Sequence, residues 1–369
     1  MFNIIVYLVT TATALSVVDY IYHFPEVVKI NKVPSHSMTS KEIYHFLKSF
    51  RAKKYDNLIG VLPMMSNVLL CIASVLAAKV VNHLAFDLLC MLFIAGRFRS
   101  LEELGHMAIH GSVSPSEKLN FFLANVFFQF PLFKPNSLVR RQRHCVEHHP
   151  NVNLKGLDPG LQDFYDIGFV PNISERAFWA GVFYPLTPSG IKTRLKGCLN
   201  NVLMDVKNLK WLTLRLFCVT AVIAPYLYYG MYYELVMFYL LPLIFIFPQF
   251  YWLSQVVEHR WFINVIGKDR LEREMSSGRP TDYPGIIGLF WKTHLFPIGD
   301  SYHMAHSLFP HVRWNYLPAV DRLLKRNLPD YSERISVGLF LRGGDHPSAL
   351  SDLREQMVVS RQKAETQIN

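Results

Sequence analysis

The sequence predicts an all-α membrane protein: two transmembrane helical hairpins and an N-terminal span, with a cytoplasmic helical cap that holds a metal site. Three observations predict it. Of 369 residues, 51% are hydrophobic and only 18% charged, against about a quarter charged in ordinary soluble domains. Several apolar segments approach the ~20 residues that a helix needs to cross a bilayer. Histidines, finally, cluster at the ends of those segments, on what becomes one membrane face.

The first element is "MFNIIVYLVTTATALSVVDYIYHF". It lacks a basic n-region, and no small-residue cleavage site follows it, so it reads as a span and not as a signal peptide. Asp19 interrupts its apolar face, which leaves an interfacial helix as the alternative. Lys29, Lys32, Lys41, Lys48, Arg51, Lys53 and Lys54 follow. Residues 1–56 therefore form an apolar segment and a basic linker.

Segments 57–81 and 83–98 make the first hairpin, and 211–230 and 234–255 the second, because their connections are only a few residues long. The 83–98 segment is short and holds Asp87, so it must borrow length from its flanks. Everything between and after the hairpins shares one side. That side carries "RRQR", "KTRLKG", Lys207 and Lys210, so the positive-inside rule makes it cytoplasmic. The stretches 119–133 and 177–188 are too short to span and read as interfacial or cap helices. Residues 57–345 form one catalytic domain, and 346–369 a polar tail ending in a solvated helix.

The formal charge of +10 sits on a hydrophobic body, which suits basic loops at an anionic membrane surface. No zinc-finger spacing or RNA-binding signature supports a nucleic-acid partner. Cys71, Cys90, Cys145, Cys198 and Cys218 are scattered without a CxxC, which argues against disulfides and thiolate metal sites.

Neutral imidazole is the commonest protein ligand for first-row metals. "GHMAIHG" places His106 and His110 four apart on one helical face. "RRQRHCVEHHP" carries His144, His148 and His149, with the i, i+4 pair again on one face. "QVVEHRW" adds Glu258 and His259, and "GDSYHMAHSLFPHV" adds Asp300, His303 and His306. Each cluster alone is weak, since an isolated HxxxH is more often a satisfied structural pair. Their co-location decides: eight imidazoles at one face are what two metals need. Asp300 and Glu258 would orient imidazole N–H groups from behind. Glu103 and His106 form an ExxH with no second ExxH to pair with it. Arg140, Arg141 and Arg143 read as membrane-surface or partner-docking charges, or as a solvated positive patch.

"HMAIHG", "HCVEHHPNVNLKGLDP" and "HMAHSLFPHVRWNYLP" resemble, in order and spacing, the three histidine boxes of the integral-membrane fatty acid desaturase superfamily. "EHRW" is similar to the additional box that some members carry before the last one. The resemblance covers residues 57–325. It implies a di-iron site held by His106, His110, His144, His148, His149, His259, His303 and His306. It also implies O2-dependent oxidation with external electrons, by desaturation of an acyl chain of a lipid-like substrate. A hydroxylase or ketolase of an alkyl or isoprenoid substrate is the alternative. The chain contains no haem-binding HPGG, no GxGxxG and no iron–sulfur cysteine set, so an acidic donor of ferredoxin, rubredoxin or cytochrome b5 type is implied. A metal transporter would carry its ligands near mid-span, and a zinc hydrolase would show HExxH. Neither pattern is present.

One position departs from the boxes: Ser307 stands where the third usually ends in a second histidine. A hydroxyl is a poor iron ligand. His311, His294 or Asp300 would fill the place, with His311 preferred because Pro310 frees its direction. The competing expectation is an open position on one iron.

Overall fold

The computed structural model describes residues 1–341 and 343–358. It is mostly helical. The one sheet among the described residues pairs Thr281–Asp282 in parallel with Ser336–Val337.

Among the described residues, four helices are long and apolar enough to cross a membrane by length and composition: Phe2–Asn31, Asp56–Val81, Leu209–Tyr228 and Tyr232–Glu258. The 83–98 segment is not among them. It opens the helix Leu84–Ile109, whose second half from Ile94 onward is almost wholly buried, Arg99, Glu102 and Glu103 included. The borrowed length therefore comes from a charged flank that the protein itself covers. Asn82, in the left-handed region at φ 47°, turns the chain from Val81 back into this helix, a conformation that asparagine tolerates better than most residues.

The N-terminal helix packs along Leu62–Val81. Its Asp19 is neither exposed nor unpaired: it accepts 2.8 Å hydrogen bonds from Arg313 and from Asn315. His23, one turn on, hydrogen-bonds the Tyr316 hydroxyl at 2.7 Å. The interruption of the apolar face is thus a tether to the segment that follows the third histidine box.

Two details of backbone place the histidines. The Leu84–Ile109 helix ends on Gly111 at φ 75°, with Ser112 N–H bonded to the Met107 carbonyl and Gly111 N–H to that of Ala108. This is a Schellman ending, and it fixes His106 in the last turn and His110 at the cap. Residues Gln142–His148 then form a π-helix. Its i→i+5 bonding brings His144 level with His149, where a regular helix would pair His144 with His148.

The expected solvated tail is buried in its first part. Ala349–Met357 is a helix whose Leu350, Leu353 and Met357 are buried, in one core with Phe169 and Trp252. Their i, i+3, i+7 spacing is an apolar stripe inside a segment whose overall polarity hides it. Residues 359–369 of the expected tail lie outside the described residues.

Candidate metal centre

His106 is the hub of the first group. Its Nδ1 lies 2.8 Å from Glu103 Oε1, so the ring N–H donates to the carboxylate and Nε2 is left as a lone pair. Against that one atom stand His110 Nε2 at 3.1 Å, His144 Nε2 at 2.7 Å and His306 Nε2 at 3.2 Å. His149 Nε2 lies 3.1 Å from His144 Nε2. Ligand-type atoms of all five lie within 4.8 Å of one another. One lone pair accepts one proton, so most of these contacts set lone pair against lone pair. A cation among them removes the conflict, and the donor set fits a transition metal.

The second group is smaller. His148, Glu258 and His259 present ligand atoms within 4.8 Å, and His303 Nε2 lies 3.2 Å from His259 Nε2. His148 Nδ1 donates to Asp158 at 2.7 Å, which again leaves Nε2 free. Behind His303, Asp300 stands 3.6 Å and Glu258 3.9 Å from Nδ1. The second and third boxes are therefore each split: His144 and His149 face the first group and His148 the second, as His306 faces the first and His303 the second. The π-turn does this for His148 and His149, and the i, i+3 offset does it for His303 and His306.

Burial, followed by mutual repulsion, holds His106, His110, His144, His259 and His306 far below the usual imidazole range. Burial lowers His149 to about 4 against the opposing pull of Glu274. These six are neutral at physiological pH, the form that binds a metal. Burial also disfavours the charged form of His148 and His303, but Asp158 outweighs it for the first, Glu258 and Asp300 for the second. Both end above the ordinary value.

Several charged residues behind the groups had weak or no signal in the sequence. Arg99 donates to Glu103 at 3.0 Å, to Asp300 at 2.5 Å and to Glu102. Asp158 was visible only as the acid of the "DP" that follows the second box. Glu274, buried beside His149 and Ser307, belongs to "RLEREMSS", which reads as a solvated charge run and gave no signal.

Other expected residues fall elsewhere. His311 stands outside both groups, because the chain past Pro310 carries it to the Leu47 backbone and Arg51. His294 stacks on Phe290 at 4.6 Å between ring centres and packs against Gly96, also outside both. Arg140 is not a surface charge: it pairs with the buried Glu102. Arg141 and Arg143 are more exposed and pair with Glu117 and Asp163.

Besides a cavity of about 10 Å³ that borders Glu258, Asp300 and His303, two larger ones lie near this region. One, of about 90 Å³, borders His106, His144 and His148 directly and is walled mostly by charged and polar side chains. The other, of about 550 Å³, is apolar and lies between the membrane-type helices, walled by residues such as Val75, Phe98, Leu101 and Tyr239. None of the eight histidines lines it.

The family model described as "Fatty acid desaturase" matches residues 82–338. This chain belongs to that family. It is also similar to a curated relative, "Dihydrorhizobitoxine desaturase" of Bradyrhizobium elkanii, at 22% identity over 342 residues, covering 86% of this chain and 89% of the relative. The chain is therefore an oxidoreductase of desaturase type, with helices suited to a membrane.

Proposed function

We propose that this desaturase-family chain removes two vicinal hydrogens from its substrate at a non-haem di-iron centre. His106, His110, His144, His149 and His306 would hold one iron, and His148, His259 and His303, with Glu258 beside them, the other. The observation that supports the reading is the convergence of Nε2 atoms on His106, a crowding of lone pairs that a bound cation would relieve. Such a centre supplies O2 reduction coupled to cleavage of unactivated C–H bonds. The balance is one C=C formed and two C–H bonds broken. O2 takes two electrons from the substrate and two from an external donor and leaves as two waters with two added protons.

The protein's own residues prepare the ligands. Glu103 and Asp158 each hold an imidazole in the tautomer that turns Nε2 inward, and Arg99 fixes the acids behind both groups. Asp300 is a positioning residue for His303. Desaturation is favoured over hydroxylation or ketolation by the family description and the relative's name. The family description also supports an acyl-lipid substrate. The basic loops support a cytoplasmic active site and an acidic electron donor of ferredoxin, rubredoxin or cytochrome b5 type.

Iron analysis of the purified protein tests the reading. Two irons per chain are expected, with His106→Ala and His148→Ala inactive and iron-depleted while still inserted in membranes. Full activity in either variant would sink the assignment.

A further inference from the structure

The apolar cavity of about 550 Å³ is long and lies between two membrane-type helices. Val68, Ile72 and Leu76 line one side of it at i, i+4 and i+8, a single face of Leu62–Val81. Phe217, Ala221, Pro225 and Tyr229 line the other at the same spacing, along and just past Leu209–Tyr228. At 1.5 Å per residue that wall runs about 18 Å. The volume falls within the roughly 300–1,000 Å³ of small-molecule sites, which are likewise walled mostly by apolar side chains. Ile72, Phe217 and Tyr229 are each at least 45% exposed, so the channel opens sideways, where a bilayer would lie.

One end of the channel carries uncompensated charge. Arg194 donates to the Leu132 carbonyl at 2.9 Å, and Leu132 lines the channel. Two residues on, the Lys134 ammonium stands 4.1 Å from the ring centre of Tyr251 and 5.5 Å from that of Phe247. Both cations are partly buried, and neither forms an ion pair with a described residue. Glu102, the one acid whose charge acts on Lys134, is already paired with Arg99 and Arg140. The Arg194 Nε is buried without a hydrogen-bond partner among the described residues.

The aromatic rings shelter the Lys134 ammonium from water and neutralise none of its charge. Burial, and next the Arg194 guanidinium, push Lys134 down to about 7, the direction expected of a lysine that lacks a counter-ion. Burying a charge without a partner is costly, and basic pockets between membrane helices suit anionic lipid headgroups. None of the eight histidines lines the channel, so a chain held there lies beside the candidate metal centre.

We propose that this channel is a lipid site, distinct from the metal centre, for a single-chain amphiphile with an anionic head. Its hydrocarbon lies between Leu62–Val81 and Leu209–Tyr228, and its carboxylate or phosphate oxygens meet Lys134 and Arg194. The two cations then gain the counter-charge that the protein's own acids do not give them. The channel walls gain the packing contacts that an empty space forfeits.

Photolabelling of the purified full-length protein tests it, with no electron donor present so that nothing turns over. The probes are a diazirine-bearing fatty acid and its methyl ester, with lysophosphatidic acid and inorganic phosphate as competitors. The acid should label peptides of the two walls saturably and more strongly than the ester. Lysophosphatidic acid should displace it, and inorganic phosphate alone should not. Lys134→Gln with Arg194→Gln should weaken the acid about tenfold, leaving ester labelling, iron content and melting temperature at wild-type values. Val75→Phe, which fills the channel, should abolish labelling by both. Equal labelling by acid and ester, or an acid indifferent to the double variant, overturns the headgroup site. Displacement by inorganic phosphate makes the cluster a free-anion site and overturns the lipid. Should the double variant not fold, the acid-to-ester ratio of the wild-type protein decides alone.

Discussion

Ser307 Oγ donates a 2.5 Å hydrogen bond to Glu274 Oε2, and the other oxygen of Glu274 lies 3.8 Å from His149 Nδ1. Neither His311 nor His294 comes to the position where related histidine boxes carry a second imidazole. The Ser307 hydroxyl belongs to a buried relay that ends on a candidate ligand. Both Ser307 and Glu274 are about 2% exposed or less, so the relay has no water to replace a lost partner.

Ser307→Ala should cost about 1–3 kcal/mol through the unsatisfied Glu274 oxygen and loosen His149. Activity should fall several-fold, with iron partly retained. Ser307→His should be worse, because an imidazole forced against Glu274 overfills a buried site. Iron content and melting temperature of the two variants, measured together, check the order.

His311→Ala should keep both irons and near-wild-type turnover, since His311 sits by Leu47 and Arg51. His294→Ala should likewise keep iron, with a stability loss from the vacated contact on Gly96. Iron loss in His311→Ala as severe as in His306→Ala would restore the replacement-ligand expectation.

The side of the membrane is open to a separate measurement. Single cysteines placed near residues 155 and 268 should react with an impermeant maleimide only from the cytoplasmic face, together and never on opposite sides. Labelling of one from each side would be incompatible with a single centre built from both regions.

Much of the candidate site was legible because spacing alone sets its histidines on shared helical faces. His106 and His110 pair as a regular helix dictates, and the eight imidazoles do gather into two groups. The division between groups was not legible at the second box. A periodicity of 3.6 joins His144 to His148, whereas the π-helix joins His144 to His149, and nothing in the local composition announces a π-turn. The buried acids were hidden for a different reason. Glu274 and Glu102 lie in segments of ordinary surface polarity, and only tertiary packing covers them. The same blindness applied to the Ala349–Met357 helix, whose four apolar residues are diluted by polar and charged neighbours. Asp19 was seen as a defect in an apolar span because its partners, Arg313 and Asn315, lie almost three hundred residues away.

Acid should dismantle the iron-free protein. His106, His110, His144, His259, His306 and His149 all have folded-state values depressed by burial. Their contribution to stability is fully present above the unfolded value of about 6.5. It is lost as pH falls from there toward the folded values, about 4 for His149, because the unfolded chain takes up protons that the folded chain refuses. His148 and His303 act in the opposite sense: their contribution is present below about 6.5 and is lost as pH rises through their raised values. Six outweigh two, so melting temperature measured from pH 7.5 down to 5 should decline. Protons compete with metal for the same nitrogens, so bound iron should shift the decline to lower pH.

Arg99 is the residue on which both groups depend. Its guanidinium bonds Glu103, whose other oxygen holds His106 of the first group. Its second nitrogen bonds Asp300, whose other oxygen faces His303 of the second. All of these side chains are buried, and removing one partner of such a pair typically costs about 3–5 kcal/mol because the remaining charge is uncompensated. Arg99→Met should therefore lower melting temperature steeply and release both irons together. Arg99→Lys should be intermediate, since a point charge on a flexible stem does not reproduce the planar fork. Glu103→Gln and Asp300→Asn serve as one-sided controls, each loosening one group and leaving the other loaded. Stepwise iron loss in Arg99→Met, one group emptied and the other full, would show that the two groups are supported independently.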